Sequence, residues 1–161
     1  MINSDPVSTD DHLAIQRLVH RYADAVVHRD PVQWGSCWAA DAAWVLGPGR
    51  TANGVDEIVA MWKAAMSGID AVVQTVDNGD AWYTSADRST AAGRWYITET
   101  FRRPTSSGIL RAHYDDSYVQ RDGGWRFANR ALQIHYHGPA DLSGTFMNTE
   151  EQLRARGVLD A

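Results

Sequence analysis

His113 and Asp115 stand two residues apart in Arg111-Ala112-His113-Tyr114-Asp115-Asp116-Ser117, a stretch that reads as an extended strand. Side chains two apart share a strand face. His113 and Asp115 therefore lie together with Arg111 and Ser117, while Tyr114, Asp116 and Tyr118 take the other face. An imidazole changes charge near neutral pH, and a carboxylate beside it fixes its tautomer. If the first face lines a pocket, His113 is a general base and Asp115 its orienting partner. His135 and His137 also alternate, and both are expected on one side of the last strand. His-x-His is a genuine metal-ligand spacing, but no carboxylate stands beside it in a recognisable motif, so no metal is expected. Asp24 falls about 200° around a helix from Tyr22 and is read as a surface or structural group.

The elements that must position these groups follow from periodicity. Ser8 or Thr9 caps a helix running from about Thr9 to His28, with Asp10 and Asp11 in its first turn. Ile15, Leu18, Val19, Tyr22 and Val26 form its apolar stripe. Asp30-Pro31 reads as a cap and first residue of a short helix through Trp34, Cys37 and Trp38. Ala42 to Leu46 is short and apolar, and Gly47-Pro48-Gly49 turns the chain back before a third helix, Val55 to Met66. From Ala71 the period becomes two. Ala71–Thr84, Thr90–Arg102, Gly108–Gln120 and Trp125–His137 are strand candidates joined by tight links, of which Arg121-Asp122-Gly123-Gly124 is the strongest hairpin signal. A short helix is expected from Thr149 to Arg156. Helices followed by a long antiparallel meander make an α+β order.

Composition bounds the partners. The chain has 161 residues, enough for one domain with a substantial core and too few for a separate cofactor-binding module. Lys plus Arg number 15 against 20 Asp plus Glu, a net charge of −5, which argues against nucleic-acid or anionic-membrane surfaces. Cys37 stands alone, so no internal disulfide forms, and a reducing cytoplasm is the expected setting. The stretch from Met1 to Asp11 carries no apolar segment behind a basic start. Seven Trp and six Tyr against three Phe favour side chains with a polar handle, as in a pocket for a ring-bearing ligand.

Several short motifs then add up. They are Ala14-Ile15-x-x-Leu18-x-x-x-Tyr22-Ala23 with Arg29-Asp30, Ala40-Asp41-Ala42-x-Trp44, Gly54-x-x-x-Ile58, Asn78-Gly79-Asp80-Ala81, and Tyr114-x-Asp116-x-Tyr118-Val119-x-Arg121-x-Gly123-x-Trp125-Arg126 followed by Arg130. Over Asp10 to Tyr136 the chain resembles the SnoaL-like branch of the nuclear transport factor 2-like (cone) superfamily, whose members include scytalone dehydratase, bile-acid dehydratase and polyketide cyclases. The resemblance implies an α+β fold. Three N-terminal helices pack on a strongly curved, mainly antiparallel sheet that forms a cone with an internal pocket. It implies one domain over residues 1–161, with 1–9 and 140–161 as flexible or accessory termini, and a homodimer paired through the convex sheet face. Apolar residues on both strand faces are expected to fit that pairing.

The resemblance also implies a pocket that needs no cofactor and moves a proton beside a carbonyl or leaving group. The family's Asp–His pair is not carried over, because its positions fall on Val27 and Gln74, neither of which accepts a proton near neutral pH. Tyr22 matches the inward aromatic of the first helix and can donate a hydrogen bond to a developing oxyanion. Arg130 matches a position near the pocket and can bind an anionic group or hold Asp115 or Asp116. The expected catalytic set is His113, Asp115 and Tyr22, with Gln74, Arg130, Trp44, Val26 and Val27 around the ligand. The expected function is a cofactor-independent lyase, isomerase or cyclase acting on a small apolar ring compound, polyketide-, steroid- or terpenoid-like. The alternative is a non-catalytic binding module or an auxiliary subunit of a larger enzyme.

Overall fold

Helix α1 (Thr9–His28) begins where Ser8 caps it, its Oγ accepting from the Asp11 amide at 3.2 Å, and where Asp10 and Asp11 complement the helix dipole. It ends where Arg29 turns left-handed at φ 56°. This is a computed structural model, and it describes residues 5–147 and 149–155. Helix α2 (Pro31–Gly35) is capped by Asp30, whose Oδ1 accepts from the amides of Val32 and Gln33 at 2.9 Å each. It stops short of the expected Trp38. The Cys37 amide turns back onto the Trp34 carbonyl, and strand β1 (Trp38–Val45) starts at Trp38 itself. Strand β2 (Thr51–Asn53) returns antiparallel to β1, and helix α3 (Val55–Ser67) follows, burying Ile58, Trp62 and Met66.

The long strands β3 (Ala71–Tyr83), β4 (Thr90–Arg103), β5 (Ser106–Arg121) and β6 (Gly124–Gly138) run within a few residues of the expected spans. A last short helix, α4, covers Glu150–Ala155; Arg156, expected in it, and Met1 to Ser4 of the expected N-terminal tail lie outside the described residues. The six strands form one sheet in the order β2-β1-β6-β5-β4-β3. Every pair is antiparallel except β1 with β6, which is parallel. The β5–β6 turn uses Asp122 at φ 51° and Gly123 at φ 74°, the two positive values that a two-residue primed turn requires. Register shifts interrupt the ladders at Val76/Asn78, Arg111/Ala112 and Ser117/Tyr118, and such shifts bend a sheet. Gly79 sits just past the first of them. A Cβ there would meet the Arg94 carbonyl oxygen and the Trp95 ring at 2.5 Å, so no larger residue fits this bend.

Helix α1 is anchored on the concave side of the sheet by its first turn. The Asp11 carboxylate accepts from Trp125 Nε1 at 2.8 Å, from the Tyr83 hydroxyl and from Ser8 Oγ, joining α1 to β6 and β3. Burial alone would raise this carboxyl, but the hydrogen bonds from Tyr83, Trp125 and Ser8 outweigh it and hold the pKa below the ordinary 3.8. The preceding residues are also tied down: Pro6 bridges to Trp82, and the Val7 amide reaches the Ala81 carbonyl. No helix among the described residues is long and apolar enough to cross a membrane.

Asp11→Ala removes the acceptor shared by Tyr83 and Trp125 and should cost about 2 kcal/mol in urea unfolding at neutral pH. A carboxyl with a lowered folded pKa stabilises above its unfolded pKa and loses that contribution as pH falls through the folded value. The gap between parent and variant should therefore close in acid. An unchanged urea midpoint in the variant would remove this anchor from the account.

Candidate active site

Arg130 is fully buried, and its placement organises the hollow between sheet and helices. Its Nε and Nη2 donate to the two oxygens of Asp116 at 2.8 and 3.0 Å, and the Tyr118 hydroxyl donates to Asp116 Oδ2 at 2.8 Å. Asp116 and Arg130 are directly paired across β5 and β6, so the ladder itself delivers the fork. The guanidinium also lies over the rings of Tyr114, Phe127 and Tyr22, at 3.9, 4.1 and 4.3 Å from their centroids. Burial alone would lower the Arg130 pKa, but the Asp116 charge overrides this and holds it above the ordinary value. The expectation of Arg130 beside a ligand is corrected. The three rings surround it and it does not line the cavity; of the two carboxylates it was expected to hold, Asp116 is its partner.

The cavity lies beyond those rings and measures about 170 Å³. Tyr22 and Val26 of α1, Trp44 of β1, Trp62 and Met66 of α3, and Leu110, Leu132 and Ile134 of the sheet form much of its wall. Behind the wall, Trp34 stacks on Trp62 at 4.9 Å and packs edge-on against Trp44 at 5.2 Å. Tyr22, Val26, Trp44 and Gln74 line this cavity. Val27 does not. One residue past Val26 it is rotated about 100° around the helix, is half-buried, and is absent from the cavity wall. The Tyr22 and Tyr114 hydroxyls approach to 3.5 Å, and burial raises both pKa values, so both keep their protons and remain donors.

A carboxyl that the sequence reading passed over also lines this cavity. Glu99 of β4 faces inward, paired in register with Gln74 and Leu110, and its Oε2 accepts from Gln74 Nε2 at 3.0 Å. Desolvation raises its pKa above the ordinary 4.5, against the opposing effects of Gln74 and Arg103. The signal was present in Trp95-x-Ile97-x-Glu99-x-Phe101, where one acid interrupts an otherwise apolar alternation. At the mouth, Arg29 donates to the carbonyls of Met66 and Ile69, clamping the end of α3 to the end of α1.

His113 and Asp115 are adjacent as expected, with Nε2 3.3 Å from Asp115 Oδ2, but on the other side of the sheet. Leu110, Ala112, Tyr114, Asp116 and Tyr118 are the buried, inward set of β5. That set is the more apolar, so it takes the core face, and His113 and Asp115 go outward with Arg94 and Tyr96. Arg94 Nε donates to Asp115 Oδ1 at 2.7 Å, and His113 Nδ1 lies 2.7 Å from His135 Nε2. His135 and His137 part company because the pairing shift at Arg111/Ala112 adds a residue to β6. His135 stacks on Tyr96, whereas His137 stacks on Phe101. No group of three or more metal-ligating side chains occurs among the described residues. The outer face of β4 and β5 is mostly polar, with Arg94, Thr98, Arg111, Asp115 and Ser117, so apolar residues on both faces are not what the sheet presents there.

The SnoaL-like domain family matches residues 7–131. No curated protein matches the chain. Among solved structures, the hexachlorocyclohexane dehydrochlorinase LinA-type3 from Novosphingobium barchaimii LL02 superposes with a TM-score of 0.73 at 21% identity, over 85% of this chain and 93% of its own. Aln2 from a Streptomyces species does so with a TM-score of 0.69 at 18% identity, over 81% and 94%. A protein of unknown function with a cystatin-like fold from Nostoc punctiforme PCC 73102 gives 0.70 at 18%, over 83% and 98%. At these identities the likeness is one of fold.

Arg130→Met should destabilise by about 3–5 kcal/mol, because it strands the Asp116 charge in the core; the double change Arg130→Met with Asp116→Leu should recover most of that in denaturant melts. A double variant no more stable than Arg130→Met would contradict the assigned pair. On the outer face, burial lowers the pKa of both His113 and His135 below 6.5; Asp115 opposes the shift at His113, and Arg94 adds to it at both. Histidines with lowered folded pKa stabilise the fold above the unfolded value, and that contribution is lost as pH falls below it. Stability should drop as pH falls below about 6.5, and His135→Gln should flatten that part of the melting profile. A parent profile already flat there would mean that the pair does not titrate as described.

Proposed function

We propose that this chain, which belongs to the SnoaL-like domain family, is an enzyme that moves a proton on a small ring compound held in the sheet hollow, with Glu99 as the acid–base group. The observation that carries the reading is a single carboxyl, raised in pKa by burial, on an otherwise mostly apolar cavity wall beside two protonated tyrosine hydroxyls. A base works best when its pKa lies nearer the operating pH than an ordinary carboxylate's does, and desolvation moves Glu99 in that direction. Gln74, at the family's histidine position, holds Glu99 Oε2 and leaves proton transfer to the carboxylate. The step takes a proton from a carbon beside a carbonyl onto Glu99, and the electron pair moves onto the carbonyl oxygen. Tyr22 or Tyr114 stabilises that oxygen by donating a hydrogen bond. Return of the proton to another carbon completes an isomerisation, and departure of a β-substituent with its electron pair completes an elimination. Both outcomes fall within the lyase and isomerase classes that the resemblance implies. His113 and Asp115 have no part in this step.

A second reading, a binding module without turnover, draws on Val27 and Gln74 standing where the family's Asp–His pair would be. Exchange of the ring α-protons of cyclohexanone in deuterium oxide, followed by NMR, separates the two. The parent should accelerate exchange, and the rate should rise with pH through a midpoint above the ordinary 4.5 of a glutamate. Glu99→Gln should lose at least about a hundredfold of it. The same variant should melt no lower than the parent at neutral pH. An acid with a raised folded pKa costs stability once ionised, and the amide removes that cost. Exchange in Glu99→Gln at the parental rate would eliminate Glu99 as the base, and no acceleration by the parent would favour the binding module.

A further inference from the structure

The wall of the hollow carries one cation, Arg50, on the turn between β1 and β2. Trp44 pairs with Ala52, and the antiparallel ladder runs on from there, the Leu46 amide donating to the Arg50 carbonyl at 2.9 Å. Arg50 therefore stands opposite Leu46 and two residues before Ala52. Alternation puts its side chain on the face of Trp44, Leu46 and the buried Ala52, the face turned to the hollow. Thr51 and Asn53 take the other face and are exposed. The Arg50 amide closes the turn on the Gly47 carbonyl at 3.1 Å, with Gly47 and Gly49 both at positive φ. The backbone is thus set, and the side chain leaves it at the rim. Arg50 is an exposed residue, so solvent and ligands reach it.

Among the described residues, no ion pair or side-chain hydrogen bond engages Arg50. The neighbouring guanidiniums are committed. Arg29 donates to the carbonyls of Met66 and Ile69, and Arg103, whose charge acts on Glu99, lies over the Phe101 ring at 5.5 Å. Glu99, the one carboxyl of the wall, is on β4. The sheet order puts three strand intervals between β4 and β1, about 14 Å measured along the sheet. The hollow is therefore bipolar, with a proton-accepting carboxyl on one side, an unpaired cation at the rim of the other, and mostly aromatic and aliphatic side chains between. A cavity of about 150 Å³ holds one benzene-sized ring; this one measures about 170 Å³. An anionic substituent on that ring fits at the Arg50 end alone, because beside ionised Glu99 it would meet like charge.

We infer that the ligand is a monocyclic ketone bearing a carboxylate across the ring from its carbonyl, with Arg50 receiving the carboxylate at the mouth. The inference rests on the proton-transfer reading for the ketone, and on Arg50 for the anion. Arg50 selects and orients. A guanidinium meets a carboxylate with two parallel N–H donors, so the ring enters with its anion last and its carbonyl end towards Tyr22, Tyr114 and Glu99. A neutral ring of the same volume enters without that preference of direction.

The test is calorimetric titration of the full chain, at neutral pH and low salt, with 4-oxocyclohexanecarboxylate and with its neutral carboxamide. The carboxylate should bind about fivefold more tightly, the upper value of a solvent-exposed ion pair. Raising sodium chloride to about 0.5 M should bring the ratio towards one, since exposed charges are screened. In Arg50→Gln the ratio should fall to about one at low salt, and in Arg50→Glu it should fall below one. Both probes are read on the same protein, so a general loss of affinity cancels from the ratio, and far-ultraviolet circular dichroism verifies that each variant folds. Equal affinity of the parent for the two probes at low salt overturns the inference, as does a preference that salt leaves unchanged or that survives Arg50→Gln. Exchange of the ring α-protons is followed separately on the same two compounds. Exchange without a carboxylate preference overturns this inference and spares the proton-transfer reading. A preference without exchange overturns that reading and leaves Arg50 as the anion-holding group of a binding pocket. Absence of binding by both probes overturns both.

Discussion

A guanidinium with no solvent exposure sits at the centre of this molecule, and the arrangement around it follows from keeping that charge buried. Arg130 needs a carboxylate, and the β5–β6 register places Asp116 directly opposite. The bidentate fork uses two of its nitrogens, and three aromatic faces surround the planar cation. One of those faces belongs to Tyr22, so the seating of α1 on the sheet and the pairing of β5 with β6 are parts of one arrangement. A buried pair of this kind adds little net stability over an apolar pair of the same volume, but neither partner tolerates loss of the other. It also fixes the two tyrosine hydroxyls at the cavity wall, although Arg130 itself does not reach the cavity.

The sheet separates two polar constellations of different character. Inside, Glu99 and Gln74 stand in an apolar hollow, where a carboxyl is pushed towards its neutral form. Outside, Arg94, Asp115, His113 and His135 form a chain in which each carboxylate oxygen and each His113 ring nitrogen has a partner. The outer chain is the longer hydrogen-bond network, and the inner one is a single bond between Gln74 and Glu99. A mostly apolar hollow with a few convergent polar groups is the usual form of a ligand site.

Much of the architecture is legible in the residues. The cap at Ser8, the apolar stripe of α1 and the Asp122-Gly123 turn mark their elements within a residue or two. The site is harder to read, for identifiable reasons. Alternation says which side chains share a face but not which face is buried. His113 and Asp115 drew notice by their chemistry, while the inward face is the one with the apolar members Leu110, Ala112, Tyr114 and Tyr118, a signal the reading did not use. Glu99 was visible by the same rule, as one acid between Ile97 and Phe101. The separation of His135 from His137 had no local signal, because a ladder shift depends on the partner strand. Val27 illustrates a finer limit: a position counted along a helix is one residue, and one residue is about 100°.

The clamp between Arg29 and the carbonyls of Met66 and Ile69 makes the rim of the hollow a shared boundary of two helices. Met66 and Ile69 both contribute to the wall, and Arg29 is the left-handed residue that terminates α1. Widening the opening by moving α3 therefore pulls on the last turn of α1, the turn that also carries Val26 into the cavity. Access to the interior and the order of that turn are mechanically coupled. The latch of this chamber is one guanidinium side chain, held at a helix terminus and gripping two backbone carbonyls.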